Sequence, residues 1–316
     1  NGTTAGVGGD GNWPDPSRWS TSAAGTDAGT YNTDVRAVFA GTAGKVTMTA
    51  NRTNSVGLRF AVDGYEIDSS GGFALTITGA PKFEVTTAGH AATISAPING
   101  GGSLEKVGAG KLILSGVNGY TGTTTINGGT LLVNGSHTGT GGGYTVNSGG
   151  TLGGTGTINR SVTVNSGGTL APGTSIESLD VGSLTLDTGS TFEVEVDVDT
   201  LASNVAGDDN DVVNVAASGS VSIGGSLRVV LVNVGLDGVP GTSGLTYTVI
   251  NNQSSGAVSG TFDSVVFVNA PGPVVYSWSK TGGDGNDVVL TISQVPEPAS
   301  LSLLALGALA LRRRRN

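Results

Sequence analysis

Thr125-Ile-Asn-Gly-Gly-Thr-Leu131, Thr145-Val-Asn-Ser-Gly-Gly-Thr-Leu152, Thr163-Val-Asn-Ser-Gly-Gly-Thr-Leu170 and Thr185-Leu-Asp-Thr-Gly-Ser-Thr-Phe192 are four versions of one phrase. The Thr before the final apolar residue falls at 130, 151, 169 and 191, so the phrase returns after 21, 18 and 22 residues. Each copy is a short β-branched strand, an Asn/Asp-Gly corner and a second strand. Asn and Gly supply the backbone angles that such a corner needs. One copy has too little apolar surface to fold alone, so copies must stack on one another. A period near 20 with two or three short strands is that of one coil of a parallel β-helix. Stacking predicts one internal ladder of Ile126, Val146, Val164 and Leu186, and another of Leu131, Leu152, Leu170 and Phe192.

Alternation outside the phrase agrees. Phe192, Val194, Val196 and Val198 share one face of a strand whose other face carries Glu193, Glu195, Asp197 and Asp199. That is the pattern of a half-buried strand with a solvated carboxylate row. Leu112 and Leu114 alternate around Ile113 in the same way. No 3.6-residue period runs for three turns before the last residues, so the expected class is all-β. Four parts follow: an N-terminal β-rich cap at 1–56, a repeat β-helix at 57–206, a β-block at 207–292 and a tail at 293–316. The block reads equally as closing coils or as a small sandwich.

Composition fits this organisation. The 316 residues include 55 Gly, about two and a half times the usual ~7%. Only 12% are charged while 37% are hydrophobic, which is not the balance of a disordered chain. There is no Cys, so disulfides and thiolate metal sites are excluded. Net charge is -9; without the four tail arginines and Glu297, 11 basic side chains face 23 acidic ones, a balance of -12. Such a surface argues against nucleic acid and anionic membrane as partners. The chain starts at Asn1 with neither Met nor an apolar run, from which we expect either a removed signal peptide or a truncated chain.

The segment running Gly108-Ala-Gly-Lys-Leu-Ile-Leu-Ser-Gly-Val-Asn-Gly-Tyr-Thr-Gly-Thr-Thr-Thr-Ile-Asn-Gly-Gly-Thr-Leu-Leu-Val133 resembles the autotransporter-associated β-strand repeat. Lys106, Gly108, Gly110, Leu112, Leu114, Gly116, Asn118, Tyr120, Gly122 and Thr124 occupy that repeat's characteristic positions, every second residue. A looser similarity covers about 57–198. The resemblance implies a right-handed parallel β-helix displayed on a bacterial surface. The autotransporter barrel has no counterpart here, since nothing supplies a dozen ~10-residue membrane strands.

At the other end, Val295-Pro-Glu-Pro298 precedes thirteen uncharged residues at 299–311, then Arg312, Arg313, Arg314 and Arg315. As a helix that run is roughly 20 Å long, short of a ~30 Å hydrocarbon core. It suffices if Ser300 sits in the interface and the arginines snorkel to cytoplasmic headgroups. The three-part tail resembles the PEP-CTERM sorting signal. That resemblance implies a Gram-negative, exopolysaccharide-producing host and an inner-membrane exosortase as partner. It further implies a transient inner-membrane anchor and release to the cell surface or matrix, with Val295, Pro296, Glu297, Pro298 and the four arginines as sorting residues.

Other candidate sites are less defined. Asp208 and Asp211, and Asp284, Asn286 and Asp287, lie in Asp/Asn clusters that could supply oxygen ligands to calcium. The second cluster fits one copy of a nonapeptide that normally binds in tandem, and both compositions also suit a bare coil corner. No other cofactor is implied. A polysaccharide lyase or hydrolase could use Asp208, Asp211, Lys106 or Arg160, but no local pattern selects any of them. The only histidines, His90 and His137, read as solvated turn residues, too few for a metal or triad constellation. Trp13, Trp19, Tyr120 and Tyr144 could stack on sugars, although caps and coil cores use aromatics more often. We therefore expect an exported, non-enzymatic structural or adhesin-like protein that contacts exopolysaccharide or neighbouring cells. A polysaccharide-active β-helix enzyme is the alternative.

Overall fold

Alternation at period two aims every second side chain inward, and a coil of about 20 residues permits three such stretches separated by Gly corners. A computed structural model describes residues 10–13, 36–198, 209–232, 244–270, 274–283 and 285–294. The described residues form strands and turns with no helix. The sorting tail, and with it the expected membrane helix, lies outside them, as do Asp208 and Asp284.

One regular coil consists of Leu104–Val107, Lys111–Leu114 and Val117–Asn118; the next, of Thr124–Ile126, Gly129–Val133 and Ser136–His137. Corresponding strands of successive coils pair in parallel and in register, the sheet pattern of a β-helix. An 11-stranded parallel sheet runs from Gly11–Trp13 to Ser264–Val268. A second sheet runs from Ala37–Phe39 to the last hairpin, and a short third one covers the remaining side in the early coils.

Both expected ladders are present. Ile126 pairs with Val146, Val146 with Val164, and Val164 with Leu186. Leu131 pairs with Leu152, Leu152 with Leu170, and Leu170 with Phe192. All are fully or almost fully buried in one continuous apolar core. The second ladder extends back to Leu112 and onward to Leu227 and Val265.

The described strands between 209 and 294 continue the same two sheets. Val212–Val215 adds to Ser178–Leu186, and Ser226–Val232 to Thr191–Asp197, both in parallel. Among the described strands, apart from the isolated bridges Gly154–Gly173 and Val196–Asn210, pairing turns antiparallel only at the end, where Asp287–Gln294 pairs with both Leu245–Asn252 and Val275–Gly282. On Val275–Gly282, Trp278 meets the Phe262 ring at 5.2 Å and Tyr276 meets the Phe267 ring at 5.0 Å. The antiparallel hairpin thus covers a sheet end that would otherwise present unpaired parallel edges. At the opposite end Trp13, Phe39, Phe60 and Tyr65 fill the first coils, with Phe39 stacked on Phe60 at 4.9 Å.

Candidate functional site

The repeat coil is a single inward alternation. From Leu104 through Lys106, Gly110, Leu112, Leu114, Gly116, Asn118, Tyr120, Thr124 and Ile126, even-numbered residues are buried. Where the chain turns, side chains that can bond to backbone replace apolar ones. Asn118 accepts from the Ile98 amide at 3.2 Å and donates to the Gly116 carbonyl at 3.2 Å. Gly108 has φ +78°, and a Cβ there would collide with the Val85 carbonyl of the coil below. Only Gly provides that corner.

Lys106 stands in register between Phe83 and Ile126, inside the ladder, with no exposed surface. Its Nζ donates to the carbonyls of Val107, Gly108 and Gly128, each at 3.0 Å, which uses all three ammonium hydrogens. Burial lowers its pKa to about 8, against a weak opposing pull from Glu84. Arg160 does the same at the corner between the third strand of one coil and the first of the next, as between Ser136–His137 and Tyr144–Val146. Nε donates to the Gly139 carbonyl at 2.8 Å, and one terminal nitrogen to Gly122 at 2.7 Å and Gly142 at 2.5 Å. The other terminal nitrogen reaches the Tyr120 carbonyl at 2.6 Å. Both cations, candidates for catalysis in the sequence, bind backbone carbonyls.

His137 corrects the expectation of a solvated turn residue, for it is fully buried. Its Nε2 lies 2.9 Å from the Tyr120 carbonyl, which can only accept, so Nε2 carries the hydrogen. Nδ1 then accepts from the Tyr144 hydroxyl at 2.7 Å. Tyr120 completes the cluster through Thr124 at 2.5 Å. Burial lowers the His137 pKa to about 4 and raises both tyrosines, so the cluster is neutral apart from Arg160. Tyr120, Tyr144 and Trp13 have no face open for a sugar; Trp19 lies outside the described residues.

The acidic candidates separate. Asp211 is 3% exposed and accepts the Glu177 amide at 3.0 Å on one oxygen and the Glu195 amide at 2.8 Å on the other. Burial raises its pKa to about 7; the two backbone bonds oppose the shift and the charges of Glu195 and Glu177 add to it. Asp287 accepts the Asn252 amide at 2.8 Å, and the Asn286 side-chain amide donates to the Ser254 carbonyl. Asp211 leads into Val212–Val215, whereas Asp287 meets Asn252, the partner of Val215 at the far end of that strand. Asp211 and Asp287 are therefore not brought together. Among the described residues no group of three His, Cys, Asp or Glu could hold a metal ion. Of the carboxylate row, Glu193 pairs with Arg228 across neighbouring strands, while the alternating Val194 and Val196 are buried.

Outside the coil the repeated Asn residues form a ladder that the phrase encodes but that ordinary pattern reading misses. Asn165 donates to Asn147 at 2.7 Å, Asn147 to Asn127 at 2.6 Å, and Asn127 to Glu105 at 2.9 Å. A second ladder runs from Asn251 to Asn214 at 2.9 Å and from Asn214 to Asp180 at 2.8 Å. Beside the first, Thr125, Thr145, Thr163 and Thr185 stand in register on the outer face. This face offers repeated hydroxyls and amides.

Comparison with known proteins agrees with this geometry. Residues 104–133, one coil and the start of the next, match the passenger-associated-transport-repeat family. The chain is 41% identical over 112 residues to the adhesin BmaC autotransporter of Brucella suis biovar 1 (strain 1330). That stretch is 33% of this chain but spans 3% of the adhesin's length. Residues 294–315 match the PEP-CTERM protein-sorting motif. This chain therefore joins a passenger-type repeat, folded as a parallel β-coil stack, to a PEP-CTERM sorting motif.

Proposed function

We propose that the chain is the exported body of a structural or adhesin-like protein at the surface, or in the exopolysaccharide matrix, of a Gram-negative bacterium. An exosortase would process its tail after a transient stay in the inner membrane. The observation that carries this reading is the sorting motif at 294–315 on the same chain as a passenger-type repeat at 104–133. Similarity to part of an autotransporter adhesin supports a displayed, adhesive role. A non-catalytic role is supported by Lys106, Arg160 and Asp211, whose charged groups are bonded to backbone in the core. The mechanism is display: in-register coils hold rows of polar side chains at fixed spacing.

Fractionating the native host and determining the mature C-terminus by mass spectrometry tests the reading. We expect surface-located protein lacking Arg312, Arg313, Arg314 and Arg315. We also expect Glu297→Ala to accumulate as precursor in the inner membrane. Surface protein with an intact Leu311–Arg312 end would overturn the processing step, and protein confined to the cytoplasm would overturn export.

A further inference from the structure

The acidic balance of the chain is not spread evenly. Across residues 112–176 the sequence holds one Lys or Arg and no Asp or Glu. That one residue, Arg160, is 4% exposed and bonded to carbonyls. The only histidine there, His137, is buried and neutral. Roughly three coils therefore form a girdle without charge on its surface. Ionic side chains lie on both sides of it: Lys82 and Glu105 before, Glu193 and Arg228 after.

What the girdle offers instead is periodic. Thr125, Thr145 and Thr163 repeat on one sheet, and Thr130, Thr151 and Thr169 on another, all in register and outward-facing. Parallel pairing fixes the coil-to-coil spacing near 4.8 Å. Asn127 and Asn147 each spend one hydrogen and one acceptor site within the ladder, and Asn165 one hydrogen, so amide capacity remains for a ligand. Sugar stacking has no aromatic platform here, since Tyr120 and Tyr144 are inside. A protein partner would look for an apolar centre, and the exposed large apolar residue of the girdle is Val117 alone. An anionic polymer would meet no cation and would be repelled by the acidic balance elsewhere.

We propose that this girdle is a binding face for an uncharged, hydroxyl-rich polysaccharide, held by many weak hydrogen bonds summed along the polymer. The proposal rests on the surface or matrix role above and names the chemistry of the partner. Weak contacts repeated along one polymer gain through effective concentration. Because neither side is charged, binding should be almost insensitive to salt.

The test is co-sedimentation of the full chain with insoluble β-1,3-glucan and with cellulose, and affinity electrophoresis in alginate, at 50 and 500 mM NaCl as chosen conditions. We expect retention on at least one neutral glucan, changing less than about twofold between the two salts. Thr145→Glu and Thr151→Glu should each weaken it about tenfold or more. Thr145→Val, which removes only a hydroxyl, should weaken it less, and Thr47→Glu, outside the girdle, should leave it unchanged. Melting curves establish that each variant is folded. Retention in alginate alone, loss of retention in high salt, no retention on either glucan, or equal retention by folded Thr145→Glu would each overturn the proposal. Surface protein that ignores neutral glucans defeats this inference alone; glucan binding by protein that never leaves the cytoplasm defeats the export reading alone.

Discussion

The repeat coils and the closing coils solve the same problem with opposite charges. In the repeat coils a corner turns carbonyls inward, and buried cations answer them: Lys106 serves three and Arg160 four. In the closing coils the inward groups are amides, and buried carboxylates answer: Asp211 serves those of Glu177 and Glu195, and Asp287 that of Asn252. The sign of a buried charge is thus set by which backbone group the corner leaves without a ladder partner. Coil length differs as well. Ladder partners lie 18 residues apart at Leu152 and Leu170, but 35 apart at Phe192 and Leu227. The longer coils carry longer Val-rich strands, such as Ser226–Val232.

The largest effect should come from the ladder that both regions share. Leu152→Asp places an unpaired carboxylate between two coils and should cost about 5 kcal/mol, enough to let the two sides of the solenoid melt separately. Circular-dichroism melts compare it with Thr130→Lys, an outward position on the neighbouring coil in register with Thr151. Equal midpoints would abolish the inside/outside assignment on which the comparison depends.

Next comes Arg160→Met, which keeps apolar bulk but deserts four carbonyls. We expect a loss of about 3–5 kcal/mol in urea titrations, as for one partner removed from a buried charged network. A loss below about 1 kcal/mol would show that those carbonyls are satisfied without the guanidinium.

The pH dependence separates the two regions further. Lys106 is depressed to about 8 when folded, so between there and its unfolded value near 10.4 the unfolded chain binds more protons and stability rises with pH. The gain is on the order of 3 kcal/mol and should vanish in Lys106→Met. Asp211, raised to about 7, binds more protons when folded, so stability falls as pH climbs from about 4 to 7. His137, depressed to about 4, has the opposite slope up to its unfolded value near 6.5. The two largely offset each other in the native chain. Relative to it, His137→Gln should gain stability on acidification from pH 6.5 to 4, and Asp211→Asn should lose it. Parallel profiles for all three proteins would defeat these assignments.

The smallest effect is at the outer surface. Thr130→Lys should change stability by less than about 0.5 kcal/mol. Millimolar Ca²⁺ should leave the native melting point unmoved relative to Mg²⁺, because both Asp211 oxygens are held by amides. A saturable rise specific to Ca²⁺ would place Asp211 or Asp287 in a metal site instead.

Much of this was legible from parity. The ladders followed from the spacing of the Thr-Leu phrase, and the same odd-even count places Lys106 with Leu104, His137 with Leu131 and Val133, and Arg160 with Ile158 and Val162. Reading those three by side-chain chemistry alone sends them to solvent. Parity prevails because each corner supplies backbone partners that make burial tolerable. Those partners arise from the coils above and below, across gaps such as Lys106 to Gly128 or Arg160 to Gly122, which no local window contains. The carboxylates of the closing coils were equally hidden. Asp-rich corner composition suits metal binding and amide capping alike, and only the three-dimensional neighbours decide between them.

The asparagine ladder has a consequence of its own. Glu105 can only accept, so Asn127 must present its NH2 downward and its oxygen upward, which dictates Asn147 and then Asn165. Orientation is passed along the row like toppled dominoes, and one carboxylate chooses the direction in which all of them fall. Asn147→Asp would set a second chooser in the middle. Asn127 and Asn165 would both have to give to it, Glu105 would lose its donor, and the row would break into two segments facing each other. A single added oxygen would thus be felt two coils away from where it was placed.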